Sequence, residues 1–536
     1  PPMTRQQLTA LVVASFMIIS AVATPVAAAT DDDTPPIQRY GAEGYPSVYV
    51  DLANDSTAAT SLQDWADGSS NREVQWMDNE SGYALVSGPR GEVKPARLLG
   101  AVPTSMPALL GDDLESKSYV DAVHLNRRLA YAEPVQPEEQ SAVDLQAGLY
   151  TRARLMSQFA PTEISGDGMA FDEDANESTL LDAREAIGDT YVSAEGEDVT
   201  VAVLDSGINV ASGQIFGNGT AGSEIRVSNK SQNYVTSAEN KTVENSSEGY
   251  DVLEDGNGHG TWVASAIAAD TSNDSYDGVV PDANLLALKT LDDEGEGTTA
   301  DIASAIRYAV DQDADVISMS LGSPLYDAAL ADAIEYAYEN DVPVVVAAGN
   351  SRQTTRWLAS PADSEHAIGV AATTSANNST AQPAYFSQLG PDPGTTDNSG
   401  GETRGEEVDV AAPGMEIEAK TAGTSGLIQN ETLSGTSMAT PLVAGSIAAL
   451  VDEEPDLNAS AVTERVRETA RPMPNAGPTE VGHGQVATDN LLEDTRPELS
   501  QEDAMTDRSE TRDGYYQGLS DVSGGYLNQV MARFGG

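Results

Sequence analysis

The stretch LSGTSMATPLVAGSIAAL, residues 433–450, sets Ser437 among small, uncharged neighbours in a chain otherwise rich in acid. A serine hydroxyl attacks a carbonyl only if a base removes its proton, and a histidine serves if a third group fixes its tautomer and stabilises the imidazolium. His259 lies in DGNGHGTWVASAIAA, where glycines allow close approach and a helix then begins, so its ring would project from a helix N-terminus. His124, His366 and His483 sit in segments without convergent polar groups and read as solvated or core-edge histidines. Asp205 closes the apolar run of TVAVLDSGI before a glycine turn, the place for a desolvated, directional carboxylate. Asn350 closes VVVAAGN, and its side-chain amide together with the Ser437 backbone N–H would make a pair of oxyanion donors. Taken singly, these residues have plainer readings as a capping serine, a capping aspartate and a turn asparagine. The chain has no cysteine, which excludes thiol nucleophiles, thiolate metal sites and disulfides.

A nucleophile at the start of a buried helix needs small residues around it so that a peptide can lie across it. Gly435, Ala439 and Gly445 supply them. Pro441, read as part of the first turn, forfeits little there because the first N–H groups lack intrahelical partners. Strand-like runs occupy residues 198–205, 284–291, 315–322, 342–350 and 367–373, and helical patterns occupy 259–270, 299–312 and 327–339. In the second of these helices Ile302, Ile306, Ala309 and Val310 share one face. Strands that are apolar throughout and separated by helices predict an α/β fold, a doubly wound, mostly parallel sheet flanked by helices. Catalytic groups then belong at the carboxyl ends of the strands. Upstream, residues 36–135 are mixed in pattern and suggest a small α+β domain, with a helix expected from Leu114 to Tyr131.

In this order, AVLDSGI, NGHGTWVAS, AAGN and SGTSMATPLVAG closely resemble the subtilisin-like serine proteases, the subtilases of the peptidase S8 family, over residues 180–492. The resemblance implies Asp205 as orienting acid, His259 as base and then acid, Ser437 as nucleophile, and Asn350 with Ser437 as oxyanion donors. It implies that Ser320, Leu321 and Gly322, with Ala347, Ala348 and Gly349, line the substrate cleft and its P1 pocket. GHGQVATDNLL, residues 482–492, is similar to the family's closing stretch. Trp262, Ser265 and Leu442 depart from common residues of the family without removing a catalytic group. No cofactor or metal is implied for catalysis. A structural Ca2+ stays open: INVASGQIF after Asp205 lacks the His-Pro-Asp whose aspartate is often a calcium ligand, and SNDSYD at 272–277 reads either as a cation loop or as a plain polar one. Residues 209–254 and 379–406 read as surface insertions.

Asp plus Glu number 85 against 28 Lys plus Arg, a formal net charge of -57. Nucleic acid and anionic membranes are therefore poor partners. At about 1 M salt the Debye length falls to about 3 Å and such carboxylates scarcely repel one another, which points to a halophilic member. The basic residue Arg5, the apolar run Leu8–Val22 and small residues at Ala27 and Ala29 suggest a Sec-type signal peptide over residues 1–29, a retained membrane anchor being the alternative. The expected organisation continues with a prosegment or N-terminal α+β domain at 30–160, an acidic linker at 161–178, a catalytic domain at 179–494 and an acidic tail at 495–536. The expected protein is a secreted, monomeric endopeptidase of broad preference, made as a zymogen whose own prosegment inhibits it, with polypeptides as substrates and no nucleic-acid partner. A narrow processing peptidase and a catalytically idle binding protein on the same scaffold are the alternatives.

Overall fold

The computed structural model describes residues 47–53, 57–69, 72–78, 83–87, 114, 117–125, 128–131, 178–189 and, with short breaks, 196–504, all within the unit Tyr40–Gly536. The expected signal peptide, nearly all of the expected linker and the chain beyond residue 504 lie outside the described residues. The first part is an antiparallel sheet of β1 (Ser47–Leu52), β2 (Glu73–Asp78), β3 (Tyr83–Ser87) and β4 (Val120–Leu125) in the order β2-β3-β1-β4. Helix α1 (Ala58–Asp67) contributes Leu62 and Trp65 to a small core with Val48, Val50 and Val86. The helix expected from Leu114 to Tyr131 is absent. The chain there forms β4, laddered to β1 from Val48 to Leu52, and then β5 (Arg128–Tyr131). The buried pair Val120 and Val123 fits a helical spacing, but long-range pairing to β1 overrides it.

After β6 (Ser178–Thr179) and α2 (Leu180–Ala186), strands and helices alternate. They run β7 (Thr200–Asp205), β8 (Gln232–Asn233), α3 (His259–Ala268), β9 (Asn284–Lys289), β10 (Glu296–Thr298), α4 (Thr299–Asp311), β11 (Val316–Met319) and β12 (Leu321–Gly322). There follow α5 (Ala328–Glu339), β13 (Val344–Ala347), β14 (Ala367–Thr373), β15 (Val410–Pro413), β16 (Ile417–Ala422), β17 (Ile428–Leu433), α6 (Thr436–Glu453) and α7 (Ala459–Thr469). The central sheet is parallel and seven-stranded, in the order β15-β14-β13-β11-β7-β9-β8. The expected doubly wound α/β sheet is therefore present, and strand order reverses at β7.

Because side chains alternate across a strand, both faces of β7 are apolar and each meets a helix layer. Val201 and Val203 pack in the core that holds Trp262 of α3 and Leu442 of α6, whereas Ala202 and Leu204 pack with Ile302 and Ile306 of α4 and Ile334 of α5. Leu85 of β3 joins this second core, so the N-terminal sheet lies against α4 and α5. Residues 209–254 prove more than a surface insertion. Ile215, Phe216, Val227 and Leu253 are buried in the first core, and β8 extends the central sheet. Gln501 hydrogen-bonds Met473 N, Met473 O and Ala476 O, so packed structure runs past the expected start of the tail at 495.

Candidate active site

Asp205 is the last residue of β7, at the sheet's carboxyl edge. Its Oδ1 accepts the Ser206 N–H at 2.7 Å and lies 2.8 Å from His259 Nδ1, with the two side chains only 1% and 2% exposed. A carboxylate that accepts at Nδ1 leaves Nε2 as the nitrogen that takes a proton. His259 opens α3 and comes this close because Gly260 has no side chain. A Cβ there would stand 2.3 Å from Gly207 O and 3.1 Å from Asp205 Cβ. Gly258, with φ +92°, turns the chain into the helix.

Asp255, which the sequence reading did not single out, joins these two segments. Fully buried, it accepts from Ser206 Oγ at 2.8 Å, Gly258 N at 2.8 Å, Thr261 N at 2.8 Å and Thr261 Oγ1 at 2.6 Å. The available signal was an acid opening the glycine-rich DGNGH turn. Nearby on β17, burial pushes the Glu431 carboxyl above the usual carboxylate range, His259 draws it back down, and Asp255 adds to the rise.

Ser437 lies in the first turn of α6 and is fully buried. Pro441 does not share that turn: it stands inside the helix, four residues on, and lacks the N–H that would have bonded the Ser437 carbonyl. The carbonyl so released accepts Ser320 Oγ at 3.1 Å, while Ser437 Oγ donates to Ser320 O at 3.3 Å. Proline therefore frees a carbonyl that ties the helix to the junction between β11 and β12, a different effect from the one read in the sequence.

Asn350 Oδ1 accepts both Thr436 N and Thr436 Oγ1 at 2.9 Å, and Thr436 Oγ1 accepts the Gly349 N–H at 3.1 Å. With the oxygen engaged, Nδ2 faces Gly435, where an added Cβ would lie 3.0 Å away. The amide thus points its donors at the turn that carries Ser437. The expected cleft residues gather around this point. Ser320 touches Ser437, Leu321 and Gly322 form β12, Ala347 ends β13, Ala348 is buried, and Gly349 (φ +101°) and Gly322 both abut Ala359. Between β12 and β10, β5 lies antiparallel to both, with Tyr131 opposite Leu321, Ala130 opposite Gly322 and Glu296, and Leu129 opposite Gly297.

The other histidines are elsewhere: His124 pairs with Tyr49 in the first sheet, His366 stacks on Tyr338 and His483 bonds Asp409 O through its backbone. Trp262 Nε1 donates to Glu431 O and Ser265 Oγ to Lys420 O, so both departures brace α3 against the β16–β17 hairpin, while Leu442 fills the core. In the 272–277 loop, Asp277 is engaged by Thr271 N and Oγ1, and burial raises its carboxyl. Among the described residues no group of three or more His, Asp or Glu side chains forms a metal cluster.

A doubly wound sheet bearing a buried Asp–His pair at one strand end, a serine at the start of a buried helix and an extended segment paired across the gap defines a hydrolase-like α/β scaffold. Residues 196–502 match the profile of the Subtilase family, and the chain belongs to that family. It is 34% identical over 283 residues to Subtilisin NAT of Bacillus subtilis subsp. natto, covering 52% of this chain and 62% of that protein. It is 34% identical over 277 residues to Subtilisin of Bacillus pumilus, covering 51% and 84%, and 32% identical over 328 residues to Serine protease AprX of Bacillus subtilis (strain 168), covering 55% and 66%. The chain thus spans less than two thirds of the length of Subtilisin NAT.

Proposed function

We propose that the chain is a serine endopeptidase that cleaves polypeptides through an acyl-enzyme. Ser437 is the nucleophile, and His259 takes its proton and returns it to the leaving amine. Asp205 holds the imidazole, and Asn350 Nδ2 with the Ser437 N–H receives the oxyanion. The observation that carries this reading is β5, an extended segment antiparallel to the cleft strand β12 on one side and to β10 on the other, one residue short of Ser320, whose carbonyl touches the Ser437 hydroxyl. It lies as a substrate would, which also supports the N-terminal domain as the protein's own inhibitor. The backbone pairing and small neighbours favour broad preference. Export after removal of residues 1–29, a monomeric state and dependence on high salt complete the reading. Among the described residues no helix is long and apolar enough to cross a membrane. A structural Ca2+ at 272–277 is not favoured, because Asp277 is already engaged by Thr271.

The register of β5 supports a first cut just beyond Tyr131, ahead of the 161–178 linker. A serine-reactive phosphonate should label the wild type, and Ser437→Ala should stay unlabelled and accumulate as an uncut precursor. Mass spectrometry of the wild type should find an N-terminus within a few residues of Tyr131. Normal processing of Ser437→Ala in a protease-free preparation would sink self-cleavage, and an unlabelled wild type would leave the scaffold idle.

A further inference from the structure

Lys289 is one of few lysines in this acid-rich chain and is buried, 5% exposed, at the end of β9. It stands in register opposite Asp205. Its ammonium has three N–H donors and uses each: Ser206 O at 2.6 Å, Glu254 O at 2.9 Å and Asp293 Oδ1 at 3.0 Å. Ser206 follows Asp205 and gives its N–H to that carboxylate, and Glu254 immediately precedes Asp255, which organises the His259 turn. Asp293 binds that turn too, through Gly256 N and Asn257 Nδ2, and begins the loop that leads to β10. A single cation thus gathers the acid's turn, the base's turn and one edge of the cleft.

We propose that Lys289 is a positioning residue for the Asp205–His259 pair, fixing its geometry by three hydrogen bonds and disfavouring the imidazolium by its buried charge. From the ammonium to the imidazole the path is three hydrogen bonds joined by the Ser206 backbone and the Asp205 carboxylate: Nζ to Ser206 O, Ser206 N to Asp205 Oδ1, and Nδ1 to Oδ1. A buried charge is screened much less by salt than an exposed one. Among the described residues, Asp205 and Glu431 act on the imidazole, Asp255 holds its turn and couples to Glu431, and the ammonium faces Asp293. Removing the cation leaves these carboxylates unopposed and favours protonated His259. The acid limb of activity must then move to higher pH, since His259 works as a base only when neutral.

The inference rests on the peptidase reading, and the test separates the two. For the full chain as it matures at molar salt, kcat/KM on a peptide substrate is measured against pH after active-site titration with a phosphonate. Two variants are compared with wild type: Lys289→Met, which loses charge and donors, and Lys289→Gln, which keeps amide donors and loses the charge. Both should shift the acid limb upward by about half to one pH unit. A structural tie alone predicts lower melting temperatures with the limb unmoved, and that result overturns the proposal. If Lys289→Met does not fold, Lys289→Gln decides alone. Wild type that neither titrates nor hydrolyses would instead defeat the peptidase reading.

Discussion

The Asn350 amide is held by its oxygen, and the hold decides what its nitrogen can do. Both groups of Thr436 engage Oδ1, so a flip that would turn the oxygen toward the oxyanion is opposed by two hydrogen bonds. Asn350→Leu should therefore lower kcat per titrated site by about 100- to 1,000-fold, the range already known for losing one oxyanion donor, with little change in KM. Thr436→Val keeps the N–H and loses the hydroxyl. The amide is then held by one bond, and kcat should fall by about tenfold, some 1.4 kcal/mol. Unchanged kcat in Asn350→Leu after titration would remove the residue from the mechanism, and equal losses in both variants would show that Thr436 acts by itself. Four motifs in one order, and the family resemblance they carry, singled out Asp205, His259, Ser437 and Asn350 as candidates. Asp255, Lys289 and Thr436 were not singled out, because their roles are set by hydrogen bonds across segments distant in sequence.

At the level of elements, the strands most easily read are those with apolar residues on both faces, β7, β9, β11, β13 and β14, because nothing but a covered sheet accounts for them. The β16–β17 hairpin was missed. Its strands carry Glu418, Lys420, Asn430 and Glu431, and the ladder from Ile417 to Leu433 depends on pairing rather than on a local pattern. β4 was mistaken for helix for the same reason. The contact between the N-terminal sheet and the helix layer was equally hidden. There the buried Arg307 of α4 lays its guanidinium 3.4 Å from the ring centroid of Tyr83 on β3. Only Nη1 finds an acceptor, the Ala303 carbonyl at 3.4 Å, so the aromatic face is the main compensation for burying the charge. A double-mutant cycle on the Ser437→Ala precursor, combining Tyr83→Leu with Arg307→Met and read by denaturant unfolding at molar salt, should return a coupling of about 1–2 kcal/mol. A coupling near zero would reduce the contact to coincidence of packing.

For the whole molecule, several of the described basic groups join separate segments of the chain. Arg352 meets Glu480 where both are about 95% buried, Arg467 meets buried Asp409, Arg226 spans Asp270 and Asp282, and Arg471 meets Asp489. With 85 acids against 28 basic residues, one-to-one pairing would leave most of the carboxylates without a cation to balance them. Lowering salt from molar to about 0.01 M extends the screening length from about 3 Å to about 30 Å, beyond the spacing of neighbouring carboxylates. Activity and near-UV circular dichroism should then be lost together. Full, lasting activity in dilute buffer would show that packing alone holds the fold. The seating of β5 has a consequence for everything around the enzyme. A chain that takes the place of Arg128–Tyr131 must offer both of its backbone edges, to β10 on one side and β12 on the other. No helix and no strand already inside a sheet can do so without first coming apart. Local opening costs range from about zero at frayed ends to the full stability of a domain, and for the proposed activity that scale, more than any residue preference, would rank the targets. An endopeptidase of the kind proposed would in effect take a census of foldedness in its surroundings, consuming damaged and loosened proteins first and sparing intact neighbours with the same sequence.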